Sequence, residues 1–98
     1  MTATITLKHS ESKVQGMGSI LTDEGVSFRV WAPNAKKVFV VGDFNDWKQN
    51  ATPLVQEENG NWSVLVPNAK AGQQYKYCLK TPAGDFWRND PYALELTN

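Results

Sequence analysis

The side chains that could do chemistry are few and scattered. The only histidine, His9, lies near the N-terminus, away from any Ser/His/Asp constellation a nucleophilic hydrolase would need. The only cysteine, Cys78, has no internal disulfide partner, and one His with one Cys cannot furnish a zinc site. Gly16-Met17-Gly18 lacks the third glycine and the strand-to-helix setting of a dinucleotide loop. Two carboxylate pairs, Asp43 with Asp46 and Asp85 with Asp90, fall among turn residues, where aspartate ordinarily closes Asx turns. Neither catalysis, a metal nor a cofactor is expected. The aromatics are more informative. Trp47 closes the polar loop Gly42-Asp43-Phe44-Asn45-Asp46-Trp47, and Trp87 stands between Gly84-Asp85-Phe86 and Arg88-Asn89-Asp90. A tryptophan in such surroundings is either a lid on the core or a flat platform at the surface. An electron-rich indole face suits the C–H face of a glucose ring. The ring hydroxyls then need polar neighbours, and Lys76, Asn45 and Asn89 are the candidates.

These groups must be positioned by short strands. Turn signals recur every 8 to 12 residues, from Asp23-Glu24-Gly25 through Pro33-Asn34, Gly42-Asp43, Asn59-Gly60-Asn61 and Pro67-Asn68 to Pro82-Ala83-Gly84-Asp85. The runs between them alternate. Val26, Phe28 and Val30 share one face, as do Trp62, Val64 and Val66, and Tyr75, Tyr77 and Leu79. Lys76 falls on the opposite parity to its flanking tyrosines. Val38-Phe39-Val40-Val41 is apolar on both faces and predicts a central strand. Phe28, Trp62, Tyr75 and Tyr77 are expected in the core, and Trp31 in the core or at its rim. The pattern predicts an all-β, immunoglobulin-like antiparallel β-sandwich of about seven or eight strands. Residues 1–15 read as a tail or loose edge strand, 16–90 as the sandwich, and 91–98 as a linker cut short. In the last of these, Tyr92, Leu94 and Leu96 suggest a surface that docks on a following domain.

Composition narrows the partners. Ten basic residues balance ten acidic ones, so no bulk positive field attracts nucleic acid or an anionic membrane. The 98 residues are far short of the ~250 of a (β/α)8 enzyme. Neither a signal-peptide pattern nor an apolar run of ~18 residues is present, and a cytoplasmic setting is expected.

Several blocks in order resemble one family. They are Val26-Ser27-Phe28-Arg29-Val30-Trp31-Ala32-Pro33, Val38 through Trp47, Gly60-Asn61-Trp62, Gly72 through Tyr77, and Asp90-Pro91-Tyr92-Ala93. Together, over about residues 16 to 94, they resemble the family 48 carbohydrate-binding modules. These are early-set immunoglobulin-like domains found N-terminal to family 13 glycoside hydrolases such as branching enzymes, isoamylases and α-amylases. The resemblance implies a non-catalytic module for α-1,4-glucans (glycogen, starch or malto-oligosaccharides), with Trp47 and Trp87 stacking glucose and Lys76 hydrogen bonding. It also implies a downstream catalytic domain. Two other roles stay open: a spacer packing on that domain with little glucan affinity, and a protein-interaction module using the same loops. The Thr81-Pro82-Ala83-Gly84 turn is longer than in the related glycogen-binding domain of the AMP-activated protein kinase β subunit, a departure expected to displace Trp87 from the plane of Trp47.

Overall fold

The computed structural model describes residues 12–89. Seven strands run β1 Gly18–Thr22, β2 Gly25–Trp31, β3 Lys37–Gly42, β4 Val55–Gln56, β5 Asn61–Val66, β6 Tyr75–Thr81 and β7 Gly84–Arg88. All pairings between them are antiparallel. They form two sheets, ordered β1-β2-β5-β4 and β3-β6-β7. Among the described residues there is no α-helix, and the fold is the β-sandwich that the alternation predicts.

Alternation places the core between the sheets. Val26, Phe28 and Val30 of β2 and Trp62, Val64 and Val66 of β5 face Val38, Val40, Tyr75, Tyr77 and Leu79 of the second sheet. The ring of Phe28 packs edge-on against Tyr75 at 4.9 Å, and Tyr75 against Tyr77 at 5.9 Å. Such pairs add about 0.5–1.5 kcal/mol each beyond the area they bury. The buried Trp62 indole donates to the Ala32 carbonyl oxygen at 3.0 Å, satisfying its one polar group. Val38 to Val41 are all buried, as a strand apolar on both faces requires. β3 is an edge strand of its sheet rather than the central strand expected, and it stays apolar on both faces because the 52–54 segment covers its free edge through Val40 N to Thr52 O and Leu54 N to Val38 O.

Two hairpins share one piece of turn chemistry. In Thr22-Asp23-Glu24-Gly25 and in Thr81-Pro82-Ala83-Gly84, the threonine hydroxyl donates to the glycine carbonyl at 2.9 Å. It also accepts from the residue before the glycine at 3.1 Å. Gly25 and Gly84 adopt φ of 131° and 124°, a region that a β-carbon penalises. Because Thr81 pairs with Gly84, the loop proper is only Pro82-Ala83, and β7 returns in register along β6.

Two further expectations need amending. Of the segment read as a tail, residues 12–15 lie on the outer face of the first sheet. There Ser12 is buried, its N–H donates to Ser63 Oγ at 3.1 Å, and its hydroxyl meets that of Ser27 at 2.6 Å. The Arg29 guanidinium holds this segment down, donating to the carbonyls of Ser12, Val14 and Gly16 and forming a two-pronged pair with Glu57. Polar groups on an outer strand face gave no sign of a covering segment. Trp31 is the second case. It is 58% exposed rather than packed in the core, because its parity directs it outward at the end of β2.

Removing the Glu57 carboxylate leaves the guanidinium half-satisfied under its cover. The expected loss for Glu57→Ala is about 2 kcal/mol, below the ~3–5 kcal/mol of a fully buried pair because both side chains keep some solvent contact. Urea unfolding measures the loss. Faster amide exchange at Val14 should accompany it.

Candidate functional site

The outer face of β3-β6-β7 carries the candidate side chains, and register puts them there. Val41 pairs with Lys76, and Phe39 with Cys78, which in turn pairs with Trp87. Phe39, Val41 and Cys78 therefore point away from the main core. They form a small second cluster that is itself buried. Lys76 and Trp87 rise from the same face on neighbouring strands, two positions apart, a diagonal of about 7–8 Å between backbones. Lys76 is exposed, and Trp87 is 48% exposed. A third pair on this face, Lys80 with Asp85 at 2.8 Å, lies toward the β6–β7 hairpin.

Trp47 reaches the site by loop chemistry. After β3 the chain turns through a 3-10 turn at Asp43–Asn45. Phe44 plugs this turn into the core, its ring 5.4 Å from Phe28, and its carbonyl accepts from Asn68 Nδ2. The Asn45 carboxamide is occupied within the loop. Its oxygen accepts from Gly42 N, while its nitrogen donates to Val40 O and Thr52 Oγ1. Asn45 thus positions the loop and is not presented to a ligand as the sequence reading suggested. Asp46 and Trp47 then take left-handed conformations, φ 58° and 59°. Successive non-glycine residues there cost on the order of 1–2 kcal/mol each. The surrounding hydrogen bonds hold them in place.

Asp43 fastens the indole. One carboxylate oxygen accepts from Trp47 Nε1 at 2.9 Å and the other from Gln74 N at 2.9 Å. The backbone N–H of Gln74 and then the Trp47 indole hold the Asp43 carboxyl below the ordinary aspartate value of 3.8. Trp47, 42% exposed, is so tied to the end of β3 that follows Val41, the partner of Lys76. The sequence marked Asp43 only as a turn former. A carboxylate four residues before a loop tryptophan was the signal available, and only the fold supplies Gln74 as its second donor.

Lys76, Trp47 and Trp87 all belong to the β3-β6-β7 sheet and its loop. Asn89, exposed, is the last described residue and follows β7. Tyr92, Leu94 and Leu96 lie outside the described residues. Cys78 sits between Phe39 and Trp87 in register, and burial pushes its thiol pKa up, so it is a packing residue rather than a nucleophile. Among the described residues no group of three His, Cys, Asp or Glu is placed to hold a metal, and no helix is long and apolar enough to cross a membrane.

The fold is thus a small β-sandwich with the exposed Lys76 and Trp87 on one sheet and the exposed Trp47 in its adjoining loop. The family described as carbohydrate-binding module 48 (isoamylase N-terminal domain) matches residues 12–93, and the chain belongs to it. The 1,4-alpha-glucan branching enzyme GlgB of Bacillus cereus (strain G9842) is 44% identical over 94 residues, which cover 91% of this chain and 15% of that enzyme. GlgB of Salinibacter ruber is 45% identical over 80 residues, 82% of this chain and 13% of the enzyme. The chain therefore spans about 15% of the length of the curated relatives it matches. Among solved structures, PulA from Klebsiella pneumoniae in its maltotriose complex superposes with a TM-score of 0.67 at 30% identity, over 86% of this chain and 11% of that one. A pullulanase from Paenibacillus barengoltzii gives 0.69 at 23% identity, over 89% and 15%, a likeness of fold.

Asp43→Asn should replace one acceptor by a donor and release either Trp47 or Gln74. The expected readout is a shifted and broadened Trp47 indole N–H resonance with little change in the Trp62 signal. The pH dependence follows from the lowered pKa. The Asp43 tether is intact above 3.8 and is lost as pH falls through the still lower folded value. The Trp47 signal should stay constant from neutral pH to about 5 and change only below 3.8.

Proposed function

We propose that the chain is a non-catalytic α-glucan-binding module, and that Trp47, Lys76 and Trp87 form its binding face within a larger branching- or debranching-type enzyme chain. The observation that carries this reading is the presence of two exposed indoles and an exposed lysine on one sheet and its adjoining loop, one of the indoles fastened by Asp43. A glucose ring offers C–H groups to an indole face and hydroxyls at its edge, which Lys76 can donate to.

The expected affinity is modest. Each indole face covers about 100 Å², worth ~2.5 kcal/mol at ~25 cal/mol/Å². Association entropy removes several kcal/mol. What is left of the ~5 kcal/mol from two indoles makes a single site no tighter than about millimolar, which corresponds to about −4 kcal/mol. Retention on a branched polymer would then come from many weak sites engaged at once.

The membership of branching enzymes and pullulanases among the relatives supports an α-glucan over other sugars. It also supports a catalytic domain elsewhere in the parent chain, which would do the chemistry while this module holds polymer. A module that only packs on that domain remains the second reading. It is favoured by the small share of the relatives that the chain spans.

Trp47→Ala and Trp87→Ala should each abolish retention on glycogen in affinity electrophoresis, with thermal unfolding shifted little because both side chains are about half exposed. Lys76→Ala should weaken retention without abolishing it. Undiminished retention by either tryptophan variant would remove this face as the site.

A further inference from the structure

We infer that the opposite side of the sandwich carries a second sugar platform, built on Trp31. At 58% exposure its side chain is more open than Trp47 or Trp87. It is also held in one orientation, since Nε1 donates to the Asn59 carbonyl oxygen at 3.1 Å. Gly60 permits this pose. It has φ of 83°, and a β-carbon there would come within 3.1 Å of Nε1 and 2.9 Å of Pro33 Cβ. A large aromatic fixed at the surface by a hydrogen bond along its edge has little conformational freedom left to lose on stacking.

Its surroundings favour sugar over protein. Asn61 is the register partner of Trp31 and points to the same outer face. Asn59 and Asn61 line a shallow depression of about 470 Å³ with Gln56 and Glu58, and Asn61 with Lys13 and Gln15 lines a second of about 490 Å³. The two depressions share Glu57 and Asn61, and Asn61 is the residue that joins them to Trp31, as its register partner. Two asparagines beside a single indole, Asn61 across the strand pair and Asn59 at its N–H edge, match a sugar with hydroxyls around an apolar face. A protein interface would instead show a contiguous apolar patch. Because Trp31 and Trp87 lie on different sheets, one module could hold two glucan chains and bridge branches of a polymer.

The ligand class rests on the glucan reading above, whereas the site does not. The test is an NMR titration of the isotopically labelled chain with maltoheptaose, following the four indole N–H signals. Trp62, buried and bonded to Ala32, reports that the fold is intact. In the Trp47→Ala/Trp87→Ala double variant, the Trp31 signal should still shift and saturate at millimolar sugar. Adding Trp31→Ala should weaken that residual binding about tenfold or more. In the otherwise unaltered chain, Trp31→Ala should leave the saturation of Trp47 and Trp87 unchanged. A Trp31 signal that stays still in the double variant overturns the inference and leaves Trp31 as a packing surface. A shift at Trp31 with silent Trp47 and Trp87 in the unaltered chain upholds it, while sinking the first site instead.

Discussion

The register of β6 between β3 and β7 is the constraint on which the proposed binding face depends. Side chains alternate along a strand, so a slip of one residue would exchange the two faces of a sheet. With Cys78 opposite both Phe39 and Trp87, the tyrosines at 75 and 77 enter the core, and Lys76 and Trp87 stand outside. Inner-face burial pins this arrangement. Exposing two tyrosines and a leucine while burying two lysines would cost far more than any hairpin could recover. The small buried cluster of Phe39, Val41 and Cys78 then gives the outer face a firm floor.

Trp47 is held by a different logic. It lies beyond the strand, in a loop whose backbone enters the left-handed region twice in succession. Phe44 anchors the loop in the core, Asn45 crosslinks it to β3 and to Thr52, and Asp43 joins the indole to Gln74. The Trp47 loop is thus part of the core's own packing. Its strain persists because several bonds over-determine the conformation.

The polar network on the first sheet plays a comparable part on the other side. Arg29 and Glu57 turn an exposed sheet face into a covered one by pinning residues 12–16 across it. Ser27 and Ser63 are the small side chains that let the segment lie close, and Ser12 bonds both. The same Glu57 borders the two depressions that Asn61, the register partner of Trp31, also lines.

Much of this was legible in the residues alone. Period-two alternation assigned Phe28, Trp62, Tyr75 and Tyr77 to the core and Lys76 to the outside. Asp23-Glu24-Gly25 and Pro82-Ala83-Gly84-Asp85 marked chain reversals by their turn residues, while the closing roles of Thr22 and Thr81 emerge only in the fold. The loop tryptophans stood out because indoles in polar stretches lack a local reason to be there. Other features depend on contacts between residues distant in sequence. Asn45 could have faced a ligand or its own loop, and only the proximity of Val40 and Thr52 settles its bonds. Trp31 has the parity of an outward residue, but whether anything covers it depends on the neighbouring strand and the Asn59–Gly60 turn. Residues 12–15 read only as a tail or loose edge strand, since their place comes from a guanidinium 15 to 17 positions further along. Local alternation is a property of the chain, readable one strand at a time. Which side chains cap, cover or fasten one another is decided only when two sheets fold together.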